Sequence, residues 1–130
     1  EGLEGLKHVL RMAARSAKEV LITGIDDARY AKALPLFMKQ HFRDLKARNV
    51  KERVLTARKA YRFSTLVAKT TAYRFLEQSQ LNPVNTLVFG RWVAIVSWEE
   101  PVTVVAIESA GLAETYRGHF EQLWKVAARS

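Results

Sequence analysis

The sequence contains no cysteine, and this absence excludes several classes of site. A disulfide scaffold, a thiol nucleophile and a cysteine-ligated zinc or iron–sulfur centre all need a residue that the chain does not have. Glycine and proline are scarce, at 6 and 3 residues. No apolar run approaches the ~20 residues that span a bilayer. We therefore expect neither a collagen-like nor a disordered nor a membrane-spanning chain.

Acidic residues are also in the minority, since 13 Asp and Glu stand against 21 Lys and Arg, a net charge of +8. Hydrophobic residues make up 48% of the 130 residues, which suffices for one core and one domain covering residues 1–130. The sequence opens on Glu1 in a helical pattern rather than on Met. We expect a cytoplasmic domain that belongs to a longer protein.

Hydrophobic periodicity predicts an alternation of helices and strands. Amphipathic spacing predicts helices over residues 3–17, 28–34, 36–48 and 109–128, the last capped by Ser109, with a break at Pro35. Apolar runs predict strands over residues 20–23, 51–56, 73–76, 85–89, 91–98 and 102–108. Residues 57–71 fit neither period well, and we assign them a short helix.

The lengths of the connections predict how these strands pair. The first two strands are separated by more than two dozen residues that include a helix, so they should be parallel. The last three have short links and should form an antiparallel meander. We therefore predict an α/β fold in which a mixed sheet carries helices on both faces and a C-terminal helix closes the chain.

Positive charge is concentrated in one segment. Between Arg29 and Arg74 there are thirteen Lys or Arg and two acids, an excess of +11, whereas the rest of the chain sums to −3. This segment either binds an anion or nucleic acid or is a solvated helix face whose long side chains cover apolar surface. Helical spacing predicts that Lys39, Arg43 and Lys46 share one side of a helix. The candidate contact residues for an anion or nucleic acid are Lys39, Arg43, Lys46, Arg48, Lys51 and Arg53.

Catalytic and metal-ligating patterns are sparse. His8, His41 and His119 occur singly, with no second ligand at metal-binding spacing, and each is interpreted as an ordinary surface or boundary histidine. Asp26 and Asp27 follow a predicted strand and are interpreted as helix caps. No glycine-rich phosphate loop or Gly-x-Ser-x-Gly motif is present. We predict no metal, no cofactor and no catalytic residue.

Three stretches resemble the phospholipase-D-like domains. AKEVLITG at residues 17–24 is similar to their first strand, LVFGRWVAIVSW at 87–98 to the hairpin of their active site, and residues 107–124 to their closing helix. The catalytic His and Lys of that hairpin motif correspond to Asn82 and Val84, and its Asp to Phe89, while Ser97 keeps the serine. The resemblance therefore implies a phosphodiesterase fold without its nucleophile.

Within that superfamily, the stretches most resemble the C-terminal domain of TrmB-type transcriptional regulators. This resemblance implies a non-catalytic domain that senses a small, sugar-like effector, forms a homodimer and signals to a DNA-binding domain on its N-terminal side. An effector is expected near the degenerate site, and the candidate ligand-binding residues there are Asn82, Asn85, Ser97, Trp98 and Glu99. The alternative is a basic accessory domain that binds nucleic acid through the segment between Arg29 and Arg74.

Overall fold

The computed structural model describes residues 2–16, 18–24, 30, 32–57, 71–77, 84–99 and 101–128. The helices in this part of the chain are α1 (Gly2–Ser16), α2 (Pro35–Ala47) and α3 (Ala110–Val126). Its strands are β1 (Glu19–Thr23), β2 (Lys51–Thr56), β3 (Thr71–Phe75), β4 (Val84–Phe89), β5 (Trp92–Ser97) and β6 (Thr103–Glu108). In the described residues, every helix is too short or too polar to cross a membrane.

The six strands form one mixed sheet in the order β3-β2-β1-β4-β5-β6. Strands β1, β2 and β3 are parallel to each other, and β4, β5 and β6 form an antiparallel meander that joins the sheet through β1 and β4. The predicted α/β class, the parallel pairing of the first two strands and the meander are confirmed. Gly90 turns the chain between β4 and β5 with φ +56°, a left-handed conformation that glycine adopts readily.

Two helix starts follow the sequence signals. Pro35 is the first residue of α2, where the missing N–H costs no hydrogen bond, so the predicted break is a helix start. The Ser109 hydroxyl accepts a hydrogen bond from the Leu112 N–H at 3.1 Å, which confirms the predicted cap of α3. In the predicted helix over residues 28–34, the described residues Tyr30, Lys32 and Ala33 are helical.

The helix assigned to residues 57–71 lies mostly outside the described residues, and its two ends need correction. Ala57 is not helical, and Thr71 is the first residue of β3, opposite Glu52 of β2. The Thr71 hydroxyl also donates to the Glu52 carboxylate at 3.0 Å. Backbone pairing with β2 thus extends the strand beyond its apolar residues, which is why the apolar pattern alone placed its start too late.

Two hydrophobic clusters contain the buried apolar side chains. The first joins α1 and α2 to Val20, Ile22, Val54 and Phe89. The second joins α3 to Leu21, Leu55, Val88 and Val93. Each of these strand residues lies next to a member of the first cluster along its own strand; for Val93 that neighbour is Ala94. Neighbouring residues of one strand point in opposite directions, so membership alternates along each strand. This alternation accounts for the nearly continuous apolar runs of β1 and β4.

Candidate functional site

Two of the predicted effector residues at the end of the meander, Asn85 and Trp98, are hydrogen-bonded to each other. Asn85 is 2% exposed, and its Oδ1 accepts hydrogen bonds from the Tyr30 hydroxyl at 3.1 Å and from the Trp98 indole N–H at 2.8 Å. Its Nδ2 donates to the Gly24 carbonyl at the end of β1. The rings of Tyr30 and Trp98 meet edge to face at 5.0 Å. The Asn85 amide thus joins three parts of the chain.

The remaining predicted ligand residues do not join this network. Ser97 is the last residue of β5 and lies opposite Val84, while Glu99 is exposed beyond the strand. Asn82 lies outside the described residues. Trp98 packs against the first hydrophobic cluster together with Trp92, as expected for two residues on one strand face. The assignment of these five residues to a ligand stays a prediction; in the structure Asn85 is buried and Trp98 is half-buried.

A pocket of about 330 Å³ opens in a different place, between α1 and α2. Two arginines of α1 line it, and α2 and its C-terminal cap supply the other lining residues: Arg11, Arg15, Phe37, Gln40, His41, Asp44 and Arg48. On α2, residues three, four and seven apart share one side of the helix, which brings Phe37, His41 and Asp44 to the pocket. The packing of Leu6 and Leu10 with Met38 and Leu45 in the first cluster holds the two helices together beneath it.

His41 is the buried polar residue of this pocket. It is 6% exposed and stacks on Phe37 with ring centroids 6.0 Å apart. Burial lowers the pKa of His41 to about 4, although the nearby Asp44 carboxylate acts in the opposite direction. The imidazole is therefore neutral at pH 7. The sequence interpretation of His41 as an ordinary boundary residue missed this environment, although its spacing from Phe37 and Leu45 does place it on the apolar side of α2.

Three arginines dominate the electrostatics of the pocket. The Arg11 guanidinium lies over the Phe37 ring at 5.2 Å, and Arg48 approaches Asp44 at 3.4 Å. Among the described residues, neither Arg11 nor Arg15 forms an ion pair. In the sequence these two arginines stand only as polar residues of the predicted amphipathic helix over residues 3–17. Their spacing of four residues was the available signal, but the facing helix had to be known.

The predicted cationic residues divide into two groups. Lys39, Arg43 and Lys46 follow one side of α2 and are exposed, as predicted from their spacing. Arg48 is also exposed, but borders the pocket beside Asp44. Lys51 is exposed at the start of β2.

Arg53 differs from the other predicted cationic residues because its guanidinium contacts two carboxylates and two aromatic rings. It donates to Glu19 at 3.0 and 3.1 Å and to Glu121 at 2.6 and 3.0 Å. It also lies over the rings of Phe120 and Trp124 at 5.4 Å. The hydrogen bonds with Glu121 raise the pKa of Arg53 and lower that of Glu121. Arg53 therefore connects β1, β2 and α3, and its donors are engaged within the protein.

Known proteins were compared with this chain at three levels. No family model matches the sequence, and no curated protein matches it. A solved structure does match, that of TrmBL2, described as an archaeal chromatin protein with a novel mode of DNA binding. The match has a TM-score of 0.62 at 14% sequence identity and covers 95% of this chain and 49% of that one. The two share a fold.

The match covers nearly all of this chain but only half of the other. The present chain spans about half the length of TrmBL2. Nearly all of it takes part in the match, so the common fold includes both the parallel strands and the meander rather than one motif.

Proposed function

We propose that this chain is a non-catalytic regulatory domain with a phospholipase-D-like fold. In this proposal helices cover both faces of the sheet, an arrangement supported by the alternating membership of the two hydrophobic clusters. The positions of the catalytic motif are occupied by Asn82, Val84 and Phe89. Phe89 is 0% exposed, so a substrate does not reach it. None of these side chains supplies a nucleophile or a phosphate-binding cation.

The observation that carries a regulatory role is the extent of the fold match. The chain corresponds over 95% of its length to 49% of a DNA-binding chromatin protein. We propose accordingly that the domain accompanies a DNA-binding domain on its N-terminal side and binds a small effector. An effector shifts such a protein only if it binds two arrangements unequally. The pocket between α1 and α2 is our candidate effector site, because a ligand bound there would contact both helices and could favour one arrangement of them.

Homodimerisation is the second part of the proposal. Strand β6 is an edge of the sheet, and its Val105 and Ile107 are 50% and 40% exposed. An exposed apolar edge strand without lysine or proline is suited to pairing with another strand. A two-fold axis lets the same strand of a second copy serve as its partner.

Sedimentation velocity and thermal unfolding of the 130-residue chain test both parts. We expect a dimer that Val105→Lys converts to a monomer, because a charge on the edge opposes strand pairing. Val126→Lys is the matched control, since Val126 is exposed at the end of α3, and it should remain dimeric. A monomeric wild type whose melting temperature is unchanged by every sugar and phosphate ester tested would overturn the proposal, as would turnover of a phosphodiester.

Direct binding of nucleic acid is a second candidate, favoured by Lys39, Arg43 and Lys46. All three are exposed on α2, and none forms an ion pair with a described residue. Replacing about three phosphate contacts should reduce the logarithmic salt slope of duplex binding by about 3. Fluorescence anisotropy of a labelled duplex with the Lys39→Glu, Arg43→Glu, Lys46→Glu variant measures this slope.

The control carries the same change of charge elsewhere: Lys18→Glu, Arg91→Glu, Lys125→Glu, at three exposed positions. If both triple variants weaken duplex binding equally, only the net charge matters, and α2 is not a nucleic-acid surface.

A further inference from the structure

We propose that the pocket between α1 and α2 binds a small phosphate group, either inorganic phosphate or a phosphomonoester. This inference rests on the proposed effector-binding role and names the chemical class of the effector. It replaces the expected sugar-like ligand and places the site away from the end of the meander. Three features of the pocket support a phosphate ligand: its size, its charge, and the arginines that it leaves without an ion-pair partner among the described residues.

The size of the pocket is suited to a small ligand. Its volume of about 330 Å³ is at the lower end of the range of roughly 300–1,000 Å³ found for ligand sites. Phe37 and His41 supply an apolar floor, while Gln40 and the arginines supply hydrogen-bond donors around it. A few polar groups placed around an apolar floor are typical of a site that orients its ligand.

The charge of the lining favours an anion. Three arginines are opposed by one carboxylate, that of Asp44, which already lies 3.4 Å from Arg48. His41 is neutral at pH 7 because burial lowers its pKa to about 4, so it adds no charge. The positive potential therefore comes from Arg11 and Arg15, two guanidinium groups that form no ion pair with any described residue. Guanidinium groups match the geometry of phosphate oxygens with two parallel donors.

The aromatic residue of the pocket argues against a neutral sugar. A sugar ring packs on an uncovered aromatic face, but Phe37 has the Arg11 guanidinium over its ring at 5.2 Å and His41 stacked beside it. The Lys7 amine is also 6.0 Å from the centre of the same ring. Phe37 therefore orients a cation towards the pocket, and a preoriented cation loses less side-chain entropy when an anion binds.

Isothermal titration calorimetry of the 130-residue chain tests the proposal, with inorganic phosphate, ribose 5-phosphate and maltose at constant ionic strength. We expect at least one phosphate compound to bind and maltose to give no heat. Arg15→Gln should weaken phosphate binding at least tenfold, because it removes an unpaired guanidinium. Arg91→Gln is the matched control, since Arg91 is exposed in the turn between β4 and β5 and does not line the pocket. It should bind like the wild type.

Other results would overturn the proposal in distinguishable ways. Binding of maltose alone would reject the phosphate class and leave the effector-sensing function standing. Equal weakening by Arg15→Gln and Arg91→Gln would show a general charge effect rather than a site. Absence of binding by all three compounds, with duplex DNA binding lost in Arg15→Gln, would identify the phosphate as that of a nucleic-acid backbone. Absence of binding of every kind would reject the sensor function as well.

Discussion

Two polar regions of this molecule use their side chains differently. At the start of β4, Asn85 satisfies its amide by bonding to Tyr30, Trp98 and Gly24, all within the protein. Between α1 and α2, Arg11 and Arg15 project their guanidinium groups beside a pocket without an ion-pair partner among the described residues. Polar groups that are hydrogen-bonded to each other stabilise the fold, whereas charged groups without an ion-pair partner can bind a ligand. Substitution should therefore affect stability in the first region and ligand binding in the second.

The largest effect is expected for Asn85→Ala. This variant leaves the half-buried Trp98 indole and the Gly24 carbonyl without their partner, so the free energy of unfolding should fall by about 3 kcal/mol. Urea denaturation followed by circular dichroism measures the change. Ser97→Ala, at the same end of the sheet, should cost about 0.5 kcal/mol or less. A stable Asn85→Ala protein that has lost an effector would instead support the sequence-based assignment of Asn85 to a ligand site.

His41 predicts an acid-dependent loss of stability in the pocket region. The pKa of His41 is about 4 in the folded protein and near 6.5 when the side chain is exposed. Between these two pH values the unfolded chain therefore binds a proton at His41 that the folded chain does not bind. Stability is complete above pH 6.5 and falls as the pH decreases towards 4, by at most about 3 kcal/mol.

Urea denaturation of the wild type and of His41→Leu between pH 7 and pH 4 isolates this contribution. Leucine does not titrate, so the stability of the variant relative to the wild type should rise as the pH falls. A constant difference over that range would show that His41 keeps its ordinary pKa and is not enclosed by α1 and α2.

Arg53 resembles the Asn85 region, because its hydrogen-bond donors are already bonded to groups within the protein. Arg53→Met keeps much of the apolar stem but removes the hydrogen bonds to Glu19 and Glu121, and should cost about 2 kcal/mol. Arg43→Met on the exposed side of α2 is the control and should leave the free energy of unfolding nearly unchanged. If both variants lose the same free energy of unfolding, the hydrogen bonds of Arg53 to Glu19 and Glu121 contribute nothing measurable to stability.

The smallest effect on stability is expected for Arg15→Gln. Its side chain is exposed and forms no ion pair with a described residue, so the free energy of unfolding should change by about 0.5 kcal/mol or less. Inorganic phosphate at a hundred times its dissociation constant should stabilise the wild type by about 2.7 kcal/mol, and the variant much less. Thermal unfolding with and without phosphate measures both. A large loss of stability without phosphate would show that Arg15 is structural.

Local signals in the sequence predicted much of the fold. Pro35 and Ser109 mark helix starts because one lacks an N–H and the other offers a hydroxyl to a free N–H. The meander follows from short connections, which leave neighbouring strands no room to run parallel. The start of β3 at Thr71 was missed because its pairing with Glu52 depends on a strand nineteen residues earlier, not on its own apolar pattern.

The candidate site was harder to predict because its parts come from separate segments. The spacing of Lys39, Arg43 and Lys46 gave their common side of α2, since that spacing belongs to the helix itself. Nothing in α1 indicates that Arg11 and Arg15 face Phe37 and His41. Likewise Arg53 was listed among the candidate anion contacts, because Glu121 is 68 residues away along the chain and its pairing with Arg53 leaves no local signal.

The sequence alone determined where most of the helices and strands lie, how the meander pairs and where positive charge is concentrated. These properties depend on periodicity, capping and connection length, which act between residues close along the chain. Only the tertiary structure decided which charges and polar groups are neutralised: it gave Arg53 two carboxylates, enclosed Asn85, and left Arg11 and Arg15 beside an open pocket. Electrostatic partnership and burial are decided by distance in space, and folding brings together groups that the sequence keeps far apart.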